Sequence, residues 1–308
     1  MRERARVYIV AAAAVVPAEL EAGARRALER DPEVDLAPHA KRVLGQRLRQ
    51  ASHFIELAAV GARLCMQKLA TVPPDIGVYF GTGLGELRKN EALFRQVFPP
   101  GPGTAAPFDF INATANMAAF YVARAAGASA RNLTVTQGLA SFEEALKLAR
   151  DDLANGSLRT ALVGGVDENY FPREVYTHRW PLRDDEIMGE GSAWLALSSD
   201  AAGAVAELTA VRAVRADADA LPQAVRETSD AVDGIVVGAQ LSADDRSALA
   251  RAFPRTRHIS YAEYCGQYPT AAAYGIASRL ADAPERGVWM HLNRDNTGAV
   301  RLVAWRAV

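Results

Sequence analysis

The segment NLTVTQGLASFEEALKLA, residues 132–149, reads as a buried strand running through a tight turn into an amphipathic helix. Enzymes of this layout carry their nucleophile at such a turn. Here the turn offers Gln137, Gly138, Leu139, Ala140 and Ser141, and no cysteine. The Ser141 hydroxyl would need a neighbouring base, which the segment does not supply, and its residue type suits a helix start. The two cysteines, Cys65 and Cys265, do not stand in a metal-ligand spacing. Without a cysteine or a paired base beside them, the five histidines (His39, His53, His178, His258 and His291) read as surface groups or hydrogen-bonded core. The glycine run Gly81, Gly83 and Gly85 lacks the lysine of a phosphate-binding loop, which argues against nucleotide binding.

These residues must be positioned by a chain of 308 residues, enough for one large domain or two smaller ones. Half of it is hydrophobic and the net charge is −1, so there is no bulk electrostatic case for nucleic acid or an anionic membrane. Two cysteines make a disulfide framework unexpected and favour a reducing compartment. The opening RVYIVAAAAVVP, with Arg2, Arg4 and Arg6, has the form of a short signal peptide, but reads better as a first strand, Val7 to Val10, ending before Pro17. No run of about 18 apolar residues predicts a spanning helix. A cytoplasmic protein without metal or cofactor is expected.

Short β-rich runs alternate with longer helical ones. Residues 42–70 have helical spacing, Ile76 to Phe80 is a strand entering the glycine turn, and 99–107 is a Pro/Gly loop. A helix spans Asn116 to Ala126 and a strand Leu133 to Val135. The helix Phe142 to Ala154 ends at Asn155-Gly156, where glycine tolerates a positive φ. Thr160 to Val163 is a strand closed by Gly164-Gly165. A second series starts with Trp194 to Leu197 and continues through Ile235–Val237, His258–Ser260, Val288–Leu292 and Val300–Trp305, with helices near 244–253 and 270–281. The pattern predicts an α/β protein of two duplicated halves, 1–180 and 181–308, sharing one core.

Several segments, in order, resemble motifs of the β-ketoacyl synthase family of the thiolase superfamily. RVYIVAAAAVVP is similar to its opening strand, and IGVYFGTGLGEL to the strand and glycine turn that follow. FDFINATANMAAFYVARAAG, preceded by Pro107, resembles the helix running to the dimer interface. NLTVTQ resembles the nucleophile strand, LANGSLRTALVGGVDE the stretch ending in two glycines and an acid, and PLRDDEIMGEGSAWLALS the Arg-Asp…GEG segment. The resemblance implies a thiolase-like five-layered αβαβα fold with the second half shortened, mostly between Leu208 and Ile235. Gly164, Gly165, Gly189 and Gly191 are expected to permit close backbone approach, and Glu168 and Glu190 to accept backbone hydrogen bonds.

The family's condensation chemistry needs an acyl-accepting cysteine and two basic side chains, commonly histidines. Counting back from the helix puts the cysteine position on Leu139; counting forward from the strand allows Gln137. The first histidine position falls at Ala239 and Gln240. The second falls at Gln267, with Ala262 in place of an upstream lysine. The closing glycine loop appears as HLNRDNTG. The resemblance therefore implies a non-catalytic homologue similar to a chain length factor, paired with a cysteine-bearing ketosynthase and served by an acyl carrier protein. Phe108, Phe110, Ile111, Thr114, Met117 and Phe120 are the candidates to gate the partner's acyl tunnel, with ordinary core as their plainer role. An alternative is an acyltransferase, hydrolase or ester-forming relative using Glu263, Cys265, Gln267 or His291. A homodimeric carrier-protein-binding or scaffolding protein is a third.

Overall fold

Strands that are apolar on both faces have to be covered on both faces, and this requirement organises the chain. The computed structural model describes residues 5–18, 32–45, 48, 51–177, 186–281 and 284–308. Among them are ten strands: β1 (Tyr8–Val15), β2 (Gly77–Gly81), β3 (Asn132–Val135), β4 (Thr160–Asp167), β5 (Gly191–Ser198), β6 (Ala206–Val214), β7 (Gly234–Val237), β8 (Arg257–Ser260), β9 (Val288–Arg294) and β10 (Val300–Ala307). Their spatial order is β3-β2-β4-β5-β1-β6-β10-β9-β7-β8. The last five strands, numbered from β6, repeat the order of the first five in mirror image. Among the described residues, the ladders of the two blocks join where Tyr8 and Ile9 of β1 pair with Glu207 and Ala206 of β6.

Alternation along each strand sends side chains into different layers. On β5, Leu195 and Leu197 face an inner core, whereas Trp194 and Ala196 face an outer one. On β10, Val303 and Trp305 point inward, and Leu302 and Ala304 join the opposite outer core. Helices α1 (His53–Met66) and α4 (Asn116–Ala126) cover the outside of the first block. Helices α5 (Ser141–Ala154) and α9 (Ala271–Ala277) fill the space between the blocks. Helices α6 (Leu221–Thr228) and α7 (Ala243–Ala252) cover the outside of the second. This is the five-layered αβαβα arrangement of thiolase-like proteins.

Local sequence explains the main elements. α1 is capped by Ser52, whose hydroxyl accepts the Ile55 N–H at 3.2 Å. α5 buries Phe142, Ala145, Leu146, Ala149 and Leu153, one helical stripe aimed at the inner core. Gly156 closes it with φ +79°, as the Asn-Gly pair predicts. Gly164 lies across from Trp194 in the β4–β5 ladder, and a Cβ there would overlap the indole.

Two expectations change. Trp194 to Leu197, expected to start the second series, pairs with β4 and β1 and so completes the first block. β6 and α6 occupy the region read as mere shortening. In β6 the alternation of Ala206, Leu208 and Ala210 breaks at Val211, and α6 is only eight residues long, so no strong periodicity advertised them.

Candidate functional site

The elbow after β3 is built by its glycine. Gly138 takes φ +55° and begins a 3₁₀ turn, Gly138–Ala140, that leads into α5. Ser141 is the first residue of α5 and does not cap it. Its Oγ accepts the Gln137 N–H at 2.8 Å and donates to the Gly138 carbonyl at 2.8 Å. The hydroxyl closes the turn. Leu139 is buried, and its N–H donates to Asn296 Oδ1 at 2.8 Å from the loop between β9 and β10. Gln137 is exposed.

The two positions read as lost bases are brought together. Gln240 Nε2 donates to Gln267 Oε1 at 3.3 Å, and Gln267 Nε2 donates to Glu186 Oε1 at 3.1 Å. The Gln240 N–H donates to Asn293 Oδ1 at 3.0 Å. Ala239 adds only a methyl group, and Ala262 begins the short helix α8 (Ala262–Cys265) that leads to Gln267. The end of β9 and the loop after it thus reach both centres, through Asn293 at the Gln240 turn and Asn296 at the elbow. Neutral amides can hold one another in register, but they neither take up nor release a proton near neutral pH.

The remaining candidates are separately occupied. Cys265 is buried and its Sγ donates to the Gly266 carbonyl at 3.3 Å. His291 is buried with Nε2 hydrogen-bonded to the Tyr261 hydroxyl at 3.1 Å, and burial lowers its pKa to about 3, which keeps it neutral. Glu263 is exposed. His53 contacts Glu190 Oε1 at 2.7 Å, His39 contacts Arg42 at 3.3 Å, and His258 lies exposed on β8. His178 falls outside the described residues. Glu168 accepts the Leu87 and Arg88 N–H groups, and Glu190 those of Val34 and Asn169, as the sequence led us to expect.

Sequence reasoning missed the acid that ties these parts together. Asp167, at the end of β4, is fully buried. Its carboxylate accepts from Thr82 Oγ1 (2.8 Å) and the N–H groups of Gly83 and Leu84 (2.9 Å each). Its other oxygen accepts the Thr270 N–H (3.0 Å) and hydroxyl (2.8 Å). The glycine turn of the first half is thereby joined to the segment leading from Gln267 into α9. Asn293 and Asn296 were also missed; two asparagines in the segment HLNRDNTG, one ending β9 and one in the loop after it, were the available signal.

The family profile described as β-ketoacyl synthase, N-terminal domain, matches residues 25–179, just over half of the chain. The chain belongs to the β-ketoacyl synthase family. None of the curated proteins compared with it matches. Among solved structures, "The ishigamide ketosynthase/chain length factor" shares the fold with a TM-score of 0.79 at 22% identity, over 98% of this chain and 99% of that one. AntDE:AntF, a type II PKS acyl-carrier protein in complex with its ketosynthase, gives 0.78 at 16% identity over 99% and 100%. A β-ketoacyl synthase from Burkholderia phymatum STM815 gives 0.73 at 17% identity over 99% and 100%.

In this β-ketoacyl synthase homologue, β3 ends the sheet with one side unpaired among the described residues. The carbonyls of Arg131 and Val135 accept from Val78 and Thr82 beside β2, so the backbone groups of Asn132 and Thr134 face outward. Between β2 and β3 in the chain lie α2 (Leu87–Val97) and α3 (Pro107–Asn112), which pack on each other. Phe94, Phe98, Phe108, Phe110, Ile111 and Phe120 are 49–62% exposed, and Phe94 stacks on Phe98 at 5.5 Å. Of the gate candidates, Phe108, Phe110, Ile111, Thr114 and Phe120 are exposed. Only Met117 packs partly into the outer core.

Proposed function

We propose that this chain is a non-catalytic β-ketoacyl synthase homologue that pairs, as a chain length factor does, with a cysteine-bearing ketosynthase. The pathway would be of type II polyketide, aryl polyene or fatty-acid-like chemistry, with an acyl carrier protein delivering the chains. The observation that carries this reading is the condition of the three chemical positions: Leu139, Gln240 and Gln267 provide no thiol and no base, and the amides are bonded to one another and to Glu186. The open edge of β3 and the half-exposed aromatics each support a partner, since unpaired strand edges and exposed apolar side chains are where chains associate. Phe108, Phe110, Ile111, Thr114, Met117 and Phe120 are the side chains we assign to that contact and to the limit on acyl length. The similar structures, a ketosynthase/chain length factor and a ketosynthase in complex with its carrier protein, agree with both partners. We place the chain in the cytoplasm. Strand order favours moving the division between the halves from 180/181 to just after β5.

Mixed with a cysteine-bearing ketosynthase from the same source, the chain is expected to elute as a heterodimer in size-exclusion chromatography with light scattering. Thr134→Pro removes an outward-facing N–H without touching the bonds to β2. It should weaken the heterodimer at least tenfold (order of magnitude from). A stable homodimer with no affinity for any such synthase would sink the reading.

Leu139→Cys restores a thiol at the start of α5 but leaves amides at both basic positions. The variant is expected to take up an acyl group from an acyl thioester, seen by intact mass, yet to release no carbon dioxide from a malonyl thioester above background. Condensation by this single variant would show that the glutamine positions are not the missing bases.

A further inference from the structure

β1 pairs with β5 along its whole length but with β6 only at Tyr8 and Ile9, so the two blocks diverge past its midpoint. A cleft of about 490 Å³ opens there, floored by Ala13, Ala14 and Val15 and walled by Leu64 of α1 and Tyr274 of α9. Four of its lining residues are basic: His39, Arg42, Lys68 and Arg279. None of the described lining residues is acidic. The charges are held from several directions. Arg42 lies 3.3 Å from His39 Nδ1, Lys68 Nζ donates to the Ala281 carbonyl at 2.5 Å, and Arg279 lies 4.0 Å from Glu285, which Arg257 approaches at 2.5 Å. No residue of the elbow or of the glutamine pair lines this cleft.

We propose that this cleft binds a small amphipathic anion, a carboxylate or phosphate head carrying a short apolar body. Its volume is in the range of small-molecule sites, roughly 300–1,000 Å³. An alanine and valine floor with a leucine wall accepts hydrocarbon. A rim carrying three permanent positive charges and a histidine selects an anionic head and rejects a cationic one. The site is independent of the partner reading, because it sits at the seam between blocks and not at the β3 edge.

Calorimetric titration with octanoate, octyl phosphate, octanamide and inorganic phosphate tests it. One-to-one saturable binding of at least one octyl anion is expected, with octanamide and inorganic phosphate at least tenfold weaker. Preference between the two octyl anions identifies the head. Arg42→Gln/Arg279→Gln should lower the affinity at least tenfold without shifting the thermal midpoint. Should that variant not fold, Lys68→Gln and a rise in ionic strength must each weaken binding in the same direction. Absence of saturable binding, equal affinity for octanamide, or indifference to both the substitutions and salt would overturn the proposal.

Discussion

Replacing Asp167 with alanine is expected to lower folding stability by about 4 kcal/mol, because five donors lose their acceptor at once. Three of those donors are backbone N–H groups that cannot turn elsewhere. Burial pushes the Asp167 pKa up to about 6, so the carboxylate is ionised at neutral pH and attracts all five donors. Asp167→Asn keeps one acceptor oxygen and adds an N–H₂ group facing donors, so it should recover no more than part of the loss. Urea unfolding measures both. A loss under about 1 kcal/mol for the alanine variant would mean that the glycine turn and the Thr270 segment are held by other means. Because the same carboxylate spans the two halves next to Gln267, partial unfolding should reach the glutamine pair first.

Glu143→Gln is expected to stabilise the protein at pH 8 and to leave it nearly unchanged at pH 4. Glu143 sits on the inner face of α5 at 1% exposure, and neither carboxyl oxygen meets another residue's donor among the described residues. Burial raises its pKa to about 8. Its own backbone N–H and the charge of Arg301 act against the shift, and Asp295 and Glu144 reinforce it. The folded state therefore holds this proton more tightly than the unfolded chain. The group's contribution is complete below its ordinary value near 4.5 and is lost as pH rises to about 8. At roughly 1.4 kcal/mol per unit, the loss is on the order of 4 kcal/mol by the upper end. The neutral amide removes that slope. Denaturation midpoints at unit pH steps check it, and parallel curves for the two proteins would refute it.

The parts of the fold written in strong alternation or periodicity were readable from the residues. Val7–Val10, Ile76–Phe80 and Thr160–Val163 are compact apolar runs that became β1, β2 and β4, and the α5 stripe was legible from Phe142 to Leu153. β6 was not, because Ala206, Ala210 and Ala213 are ambiguous between strand and helix and only the pairing with β10 decides them. α2 has no buried residue, so its LRKNEALFRQV pattern had no core stripe to announce it. At the site, the absence of a cysteine was visible, but contacts between distant segments were not. Nothing in the spacing of Gln240 and Gln267 says that they touch, and Asp167 looked like one more acid after two glycines. Ser141 shows the limit of residue type: a good capping residue was used to fasten the turn before it. The gate candidates were read with ordinary core as their plainer role, and five of the six lie on the surface.

The ten-stranded sheet has two ends, and they are not equally defended. β8 presents exposed Arg257 and His258, and Arg257 is anchored to Glu285 and lies over Trp289. Charge on a terminal strand discourages a second sheet from zipping onto it. β3, Asn132-Leu133-Thr134-Val135, carries no charge. If the proposed partner covers β3, a copy synthesised in excess of it exposes an uncharged strand edge onto which a second sheet can pair. On that proposal its abundance has to be matched to the partner's by balanced translation or by clearance of the surplus.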